Sequence, residues 1–176
     1  MRFPVTWAMP DEVGRILREA TKEPLLSAGR RDSETVLDRR AVLSLLPHRD
    51  PFLFIDRVTL LDVEQGLIAA RFDLSRAPEV FAAHFPDRPV WPGVLQVEGI
   101  AQAASLLVLK RAERVDPTMV TLTHVQGARF LRPVAPGAEL EILARVLDDG
   151  LLYTVVGQCL QGGEVCSVAS VTILYE

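Results

Sequence analysis

AHFPDRPVWPGVLQVEGIAQAAS, residues 83–105, is the stretch that decides the fold. Prolines fall at Pro86, Pro89 and Pro92. Each fixes φ and deletes a backbone donor, so the run from His84 to Pro92 is expected to be extended and stiff, holding His84 at low entropic cost. Pro92 and Gly93 then open a helix. Val94 to Leu109 is apolar nearly all round and is interrupted by Gln96, Glu98, Gln102 and Ser105. Sixteen residues that include a carboxylate make a poor bilayer span and a good core helix. A helix apolar on almost every side must be wrapped, and the rest of the chain supplies strands to wrap it.

Outward from the helix, residues 51–66 (PFLFIDRVTLLDVEQG) read as one strand closing at Gly66, and residues 67–75 (LIAARFDLS) as its hairpin partner. Residues 41–49 (AVLSLLPHR) read as a short helical turn ending before Pro47. The last third holds strand-like runs at 118–134, 138–160 and 164–176, separated by turns at Pro136-Gly137 and Gly162-Gly163. The middle run splits into two strands at Asp148–Gly150. The expected class is α+β, one antiparallel sheet with one long helix to cover. If Gly162-Gly163 is a two-residue turn, Gln161 pairs with Glu164, and Cys159 faces Cys166 as a pair of free thiols. Residues 1–40 are charge-rich and read as an N-terminal appendage, a helix over about Asp11–Ala20 with Val13, Ile16 and Leu17 on one face, then a linker.

Composition narrows the function. The chain has 176 residues, 49% apolar and 24% charged, with net charge −4 and a pI of about 5.4. That is enough apolar content for a core, and the acidic balance disfavours a nucleic-acid binder. Two cysteines are too few for a disulfide scaffold or a four-sulfur zinc site, and no secretory signal is seen at the start. The expectation is a soluble cytoplasmic protein with no metal.

The chemistry concentrates beside and on the long helix. Gly93 lets a ligand approach the backbone closely, and the first N–H groups of a helix lack partners and lie at the positive end of its dipole. Such a place can hold a developing oxyanion. Glu98, Gln102 and Ser105, spaced by four and three, make a narrow polar stripe, while Gly99, Ala101, Ala103 and Ala104 keep the flanks small enough for an extended ligand. Glu98 is either ion-paired with an arginine or a working carboxylate with a raised pKa that gives a proton. His84 is either a satisfied core histidine or a base. Together they suit removal of a proton alpha to a carbonyl with loss of a beta leaving group. No Ser-His-Asp arrangement and no phosphate-binding glycine loop is evident.

Three segments carry a family resemblance: LLPHRDPFLFIDRV (45–58), AHFPDRPVWPGVLQVEGIAQAAS (83–105) and ARFLRPVAPG (128–137). The chain from Ala41 to Leu174 resembles the bacterial 3-hydroxyacyl-[acyl-carrier-protein] dehydratases of the hot dog fold. The resemblance implies a long central helix wrapped by a curved antiparallel sheet over residues 41–176. It also implies a homodimer or trimer of dimers. His84 is then the base and Glu98 the acid from the partner subunit. Gly93 and Val94 bind the thioester oxyanion, and Phe85, Gln102 and Ser105 line the substrate tunnel. No cofactor is implied beyond the phosphopantetheine of acyl carrier protein that carries the substrate. Arg49, Arg57, Lys110, Arg111, Arg114, Arg129 and Arg132 are candidate carrier contacts, each with solvation or internal pairing as the alternative. His48 reads as structural, bonding across a turn. Ala83 and Asp87 stand where the family has glycines, and Thr121 and Leu122 stand where it has a gating tyrosine. Alternative functions are a coenzyme A hydratase, a thioesterase of the same fold, or an inactive acyl-binding subunit.

Overall fold

The computed structural model describes residues 11–31, 34–112, 120–137, 139–150 and 152–175. Its elements run α1 (Asp11–Ala20), α2 (Ala28–Arg31), α3 (Arg39–Leu45), β1 (Arg57–Asp62), β2 (Leu67–Asp73), α4 (Pro78–Ala83), α5 (Gly93–Arg111), β3 (Val120–Phe130), β4 (Glu139–Asp149), β5 (Leu152–Gln161) and β6 (Glu164–Tyr175). The strands form one six-stranded sheet in the order β1-β2-β4-β5-β6-β3, and every pairing is antiparallel. The α+β expectation holds, and β3 stands at an edge.

Strand alternation sends each strand's side chains to both faces of the sheet. Ile68, Ala70, Phe72, Ile142, Ala144, Val155 and Val171 meet Ile100, Ala103, Ala104 and Leu107 of α5 on the inner face. The helix sits close. A Cβ on Gly157 would fall 2.3 Å from Ile100 Cγ2, and one on Gly99 would fall 3.0 Å from Ile142 Cδ1. Gly99, Ala103 and Ala104, read as room for a ligand, therefore serve helix–sheet approach instead. Because α5 is mostly buried in this way, its length and apolar composition reflect a core helix.

The outer face is also covered. Val13, Leu17 and Ala20 of α1, with Leu26, pack on Leu67, Ala69, Leu143, Val156, Leu160, Val165 and Val168. The helix predicted over Asp11–Ala20 forms at those bounds, and the N-terminal segment packs as a third layer. Gln158 on β5 is 0% exposed and ties it down. Its carbonyl oxygen accepts from Leu25 N at 2.7 Å, and its amide donates to Ala20 O and to Glu23 O at 2.9 Å. Arg31, at the end of α2, pairs with Glu141 on β4, which also holds Arg71 of β2.

Two local expectations change. Residues 51–56 do not join the strand, which starts at Arg57. Leu53, Phe54 and Ile55 are instead buried under α5, because the Gln102 side chain, described below, takes up the backbone groups a neighbouring strand would have used. The β5–β6 turn is the two-residue type expected, with Gly162 at φ 60° and Gly163 at φ 81°, and Gln161 pairs with Glu164. A register shift between Cys159 and Leu160 then opposes Cys159 to Ser167 rather than Cys166. The bulge puts one extra residue on β6. Both thiols are free and buried, and burial pushes each above its ordinary pKa.

Gln158→Leu tests the third layer. It keeps the volume but leaves Leu25 N and the carbonyls of Ala20 and Glu23 without their partner, the Ala20 carbonyl buried, and one buried group so left costs roughly 1–3 kcal/mol. The urea unfolding free energy should fall by about 2 kcal/mol or more, with activity retained because α5 covers the opposite face. An unchanged midpoint would contradict the docking.

Candidate active site

α4 starts with Pro78 at its first turn and ends at His84, whose backbone N–H donates to Val80 O at 2.9 Å. The chain beyond does not run extended. Phe85 and Arg88 exchange backbone hydrogen bonds, at 3.3 and 3.0 Å, around Pro86 and Asp87, and Val90 N returns to His84 O at 2.9 Å. Proline removes donors only at 86, 89 and 92. It leaves those of Phe85, Arg88 and Val90 free to close a turn, and Pro86 sits at the position a β-turn favours for proline. The stiffness expected of this segment comes from the turn.

The turn also fixes the His84 ring. Nδ1 lies 3.0 Å from Val90 O. A carbonyl oxygen only accepts, so Nδ1 carries the hydrogen and the neutral ring presents a bare Nε2. Phe85 stacks on the imidazole, with ring centroids 4.1 Å apart and planes at 28°. Trp91 then anchors the return. Its backbone N–H donates to Val134 O at 2.9 Å, and its indole packs among Phe54, Phe72 and Phe81.

At the start of α5, Leu95 N and Gln96 N donate to Pro92 O, at 3.1 and 3.3 Å. The N–H groups of Gly93 and Val94 precede any acceptor inside the helix. Gly93 lies under the Phe130 ring, where a Cβ would come within 2.7 Å of Cε1. Val94 is 72% exposed and Phe85 is also exposed.

One turn further along α5, Glu98 meets two donors. Gln102 Nε2 is 2.9 Å from Glu98 Oε1 and His48 Nε2 is 3.3 Å from the same oxygen. Gln102, expected along the tunnel, is 1% exposed. Its Oε1 accepts from Phe54 N at 2.9 Å, and its Nε2 also donates to Phe52 O at 2.8 Å. It braces the 52–54 segment against the helix. Ser105, half-buried, returns its hydroxyl to Ala101 O at 2.8 Å. The partner of Glu98 is thus a histidine rather than an arginine. The His48 hydrogen bond pulls the Glu98 carboxyl below its ordinary pKa, helped by Gln102 and opposed by burial, which reverses the raised value expected from burial alone.

Among the described residues no hydrogen bond or ion pair joins His84 to Glu98. Sequence reasoning gave His48 no part in the site, since nothing in the spacing relates residue 48 to residue 98. Phe130 was missed for the same reason. Of the candidate carrier contacts, Arg57 pairs with Glu139, Arg111 with Asp149 and Arg132 with Glu164, and Arg49 donates to the carbonyls of Leu46 and His48. Arg114 lies outside the described residues. Lys110 and Arg129 form no ion pair with a described residue.

The FabA-like domain model matches residues 46–166. The chain belongs to the FabA-like family. It is 39% identical over 143 residues to the 3-hydroxyacyl-[acyl-carrier-protein] dehydratase FabZ of Oleidesulfovibrio alaskensis, a match covering 80% of this chain and 92% of that one. It is 47% identical over 111 residues to the FabZ of Variovorax paradoxus, covering 61% and 73%. Its fold is like that of the dehydratase heterocomplex ApeI:P from Xenorhabdus doucetiae, with a TM-score of 0.58 at 20% identity over 77% of this chain and 90% of the other. The FabA-like domain thus starts just after α3, on the residue before Pro47 and His48.

The Glu98 carboxyl has a lowered pKa in the fold, so the charge favours folding above the unfolded value of about 4.3. That contribution is lost as pH falls through the folded value. Melting temperatures taken between pH 7 and pH 3 should therefore fall less steeply for Glu98→Gln than for the unaltered protein. Parallel curves would remove the assignment of charge to Glu98.

Proposed function

We propose that this FabA-like protein dehydrates 3-hydroxyacyl thioesters, carried on acyl carrier protein, to trans-2-enoyl thioesters in fatty acid biosynthesis. The observation that carries this reading is the His84 ring, whose Nδ1 is committed to Val90 O so that Nε2 is the basic atom. Nε2 takes the proton alpha to the thioester carbonyl. The N–H groups of Gly93 and Val94 receive the negative charge that develops on the carbonyl oxygen. Glu98 handles the hydroxyl that leaves. These steps need only side chains and backbone.

An isologous dimer supports the same chemistry. β3 is an edge strand with Leu122, Val125 and Phe130 exposed, a combination that invites pairing with a second chain. Inside one chain α5 is packed directly on the sheet, so an acyl chain finds its channel on the side of the helix away from the sheet, between subunits. His84 of one protomer then faces Glu98 of the partner subunit. Of the candidate carrier contacts among the described residues, Lys110 and Arg129 are the ones without an ion pair to a described residue and so available to an acidic carrier protein.

Hydration of crotonyl thioesters of carrier protein and coenzyme A, followed at the enoyl absorption, tests the reaction. Activity on the carrier thioester is expected, and release of free thiol instead would favour a thioesterase. His84→Ala should lower the rate by roughly 100–10,000-fold, the usual loss for a general base, with a nearly unchanged melting temperature. Mixing inactive His84→Ala and Glu98→Ala proteins tests assembly. Random exchange makes half the dimers mixed, each with one intact site of two, so activity should recover to about a quarter of the unaltered protein's. Background activity after exchange is verified with mass-tagged subunits would mean that both groups act within one chain or that one of them is not catalytic.

A further inference from the structure

A proton is missing from the arrangement around Glu98. A hydroxyl leaves readily only as water, so the carboxyl group beside it must supply a proton. Two donors on Oε1 instead favour the carboxylate. The Gln102 amide cannot turn to relieve this, because its oxygen is held by Phe54 N and its nitrogen by Phe52 O. His48 is the one donor of the pair that can give its hydrogen away. Its other ring nitrogen, Nδ1, is buried and bonded to nothing among the described residues, so Glu98 is the imidazole's single polar contact through its ring atoms.

We propose that His48 stores the proton that Glu98 delivers to the leaving hydroxyl. Resting on the dehydratase reading above, this makes His48 a positioning residue that acts through Glu98 without touching substrate. At rest His48 is an imidazolium, with one hydrogen on Nδ1 and the transferable one on Nε2, and Glu98 is ionised. The two share one proton across the Nε2–Oε1 contact, and its crossing turns the pair into neutral imidazole and neutral carboxylic acid. When His84 Nε2 takes the alpha proton, the C–H electron pair forms the carbon–carbon double bond and the C–O bond breaks. The oxygen leaves with that bond's electrons and takes the Glu98 proton, departing as water. The His48–Glu98 pair is then one proton short and His84 one proton rich. Release from His84 to solvent and uptake by the pair from solvent restore both, with no net change.

Other charges near the pair are already engaged. Arg49 points to the carbonyls of Leu46 and His48, and Asp50 is paired with Arg39 and Arg76. From α5 the groups that face His48 are Glu98 and, through it, Gln102.

His48→Gln keeps a donor near Oε1 and removes the ability to store a proton. The proton must then reside on the carboxyl group alone, whose ordinary value of about 4.3 lies roughly two units below a histidine's. The dehydration rate of the variant should therefore fall steeply toward alkaline pH, and its ratio of rates at pH 6 and pH 8 should exceed the unaltered protein's by roughly 4-fold. A loss of the same factor at every pH would overturn the proposal and leave His48 merely structural. A second measurement needs neither turnover nor substrate. In nitrogen-15 NMR of the full chain, the His48 ring should lose its proton at a lower pH in Glu98→Gln than in the unaltered protein. An unmoved His48 titration would likewise refute it. Failure of the dehydratase reading is distinguishable, because it appears as inactivity of the unaltered protein while the titration is read independently.

Discussion

The side-chain amide of Gln102 is the contact on which the arrangement around α5 depends. It is buried, and it replaces the missing strand partner of a backbone segment, accepting from Phe54 N and donating to Phe52 O. With its oxygen committed, its nitrogen can only donate, and the same nitrogen holds Glu98. One group thus sets the distance between α5 and the 52–54 segment, and brings His48, four residues before Phe52, to the helix carboxylate. A buried amide satisfied at both ends has one orientation and tolerates no slip of the segment against the helix.

The constraint explains which parts of the protein were readable from its residues and which were not. α5 was legible because its apolar character is continuous and Pro92-Gly93 marks its start. The β5–β6 turn was legible because two successive glycines at positive φ match one turn type. The helix over Asp11–Ala20 was legible from the spacing of Val13, Ile16 and Leu17. Each signal is local. The bulge opposite Cys159 and Leu160 was not legible, because register within a hairpin is also set by what each face packs against, here α5 on one side and α1 on the other. The direction of the Glu98 shift was misread for a related reason. Burial alone argues for a raised value, and the donors that reverse it come from residue 48 as well as from the helix itself.

The loop 84–92 shows a different limit. Proline spacing announces rigidity but not its form. The same three prolines are compatible with an extended strip and with a closed turn, and the choice rests on where the remaining N–H groups find acceptors. The closed turn is what orients the imidazole, since Val90 O reaches Nδ1 only because the chain comes back on itself. The small residues of α5 carried a similar ambiguity. Glycine at 99 and 157 permits close approach, and only the position of the sheet decides whether a ligand or a strand makes use of it.

The layer formed by α1 has a consequence for the order in which the protein is made. Its apolar face rests on Leu143, Val156, Leu160, Val165 and Val168, and its C-terminal end is tied to Gln158. The bond from Leu25 to Gln158 closes a loop spanning 133 residues. On a ribosome α1 therefore has almost nothing to dock on until β5 and β6 have followed it, and closure of so long a loop precedes any reward from packing. Until then Val13, Ile16 and Leu17 travel unshielded on the nascent chain, and the segment that completes the outer face is made before the strands it covers and is among the last to find its place.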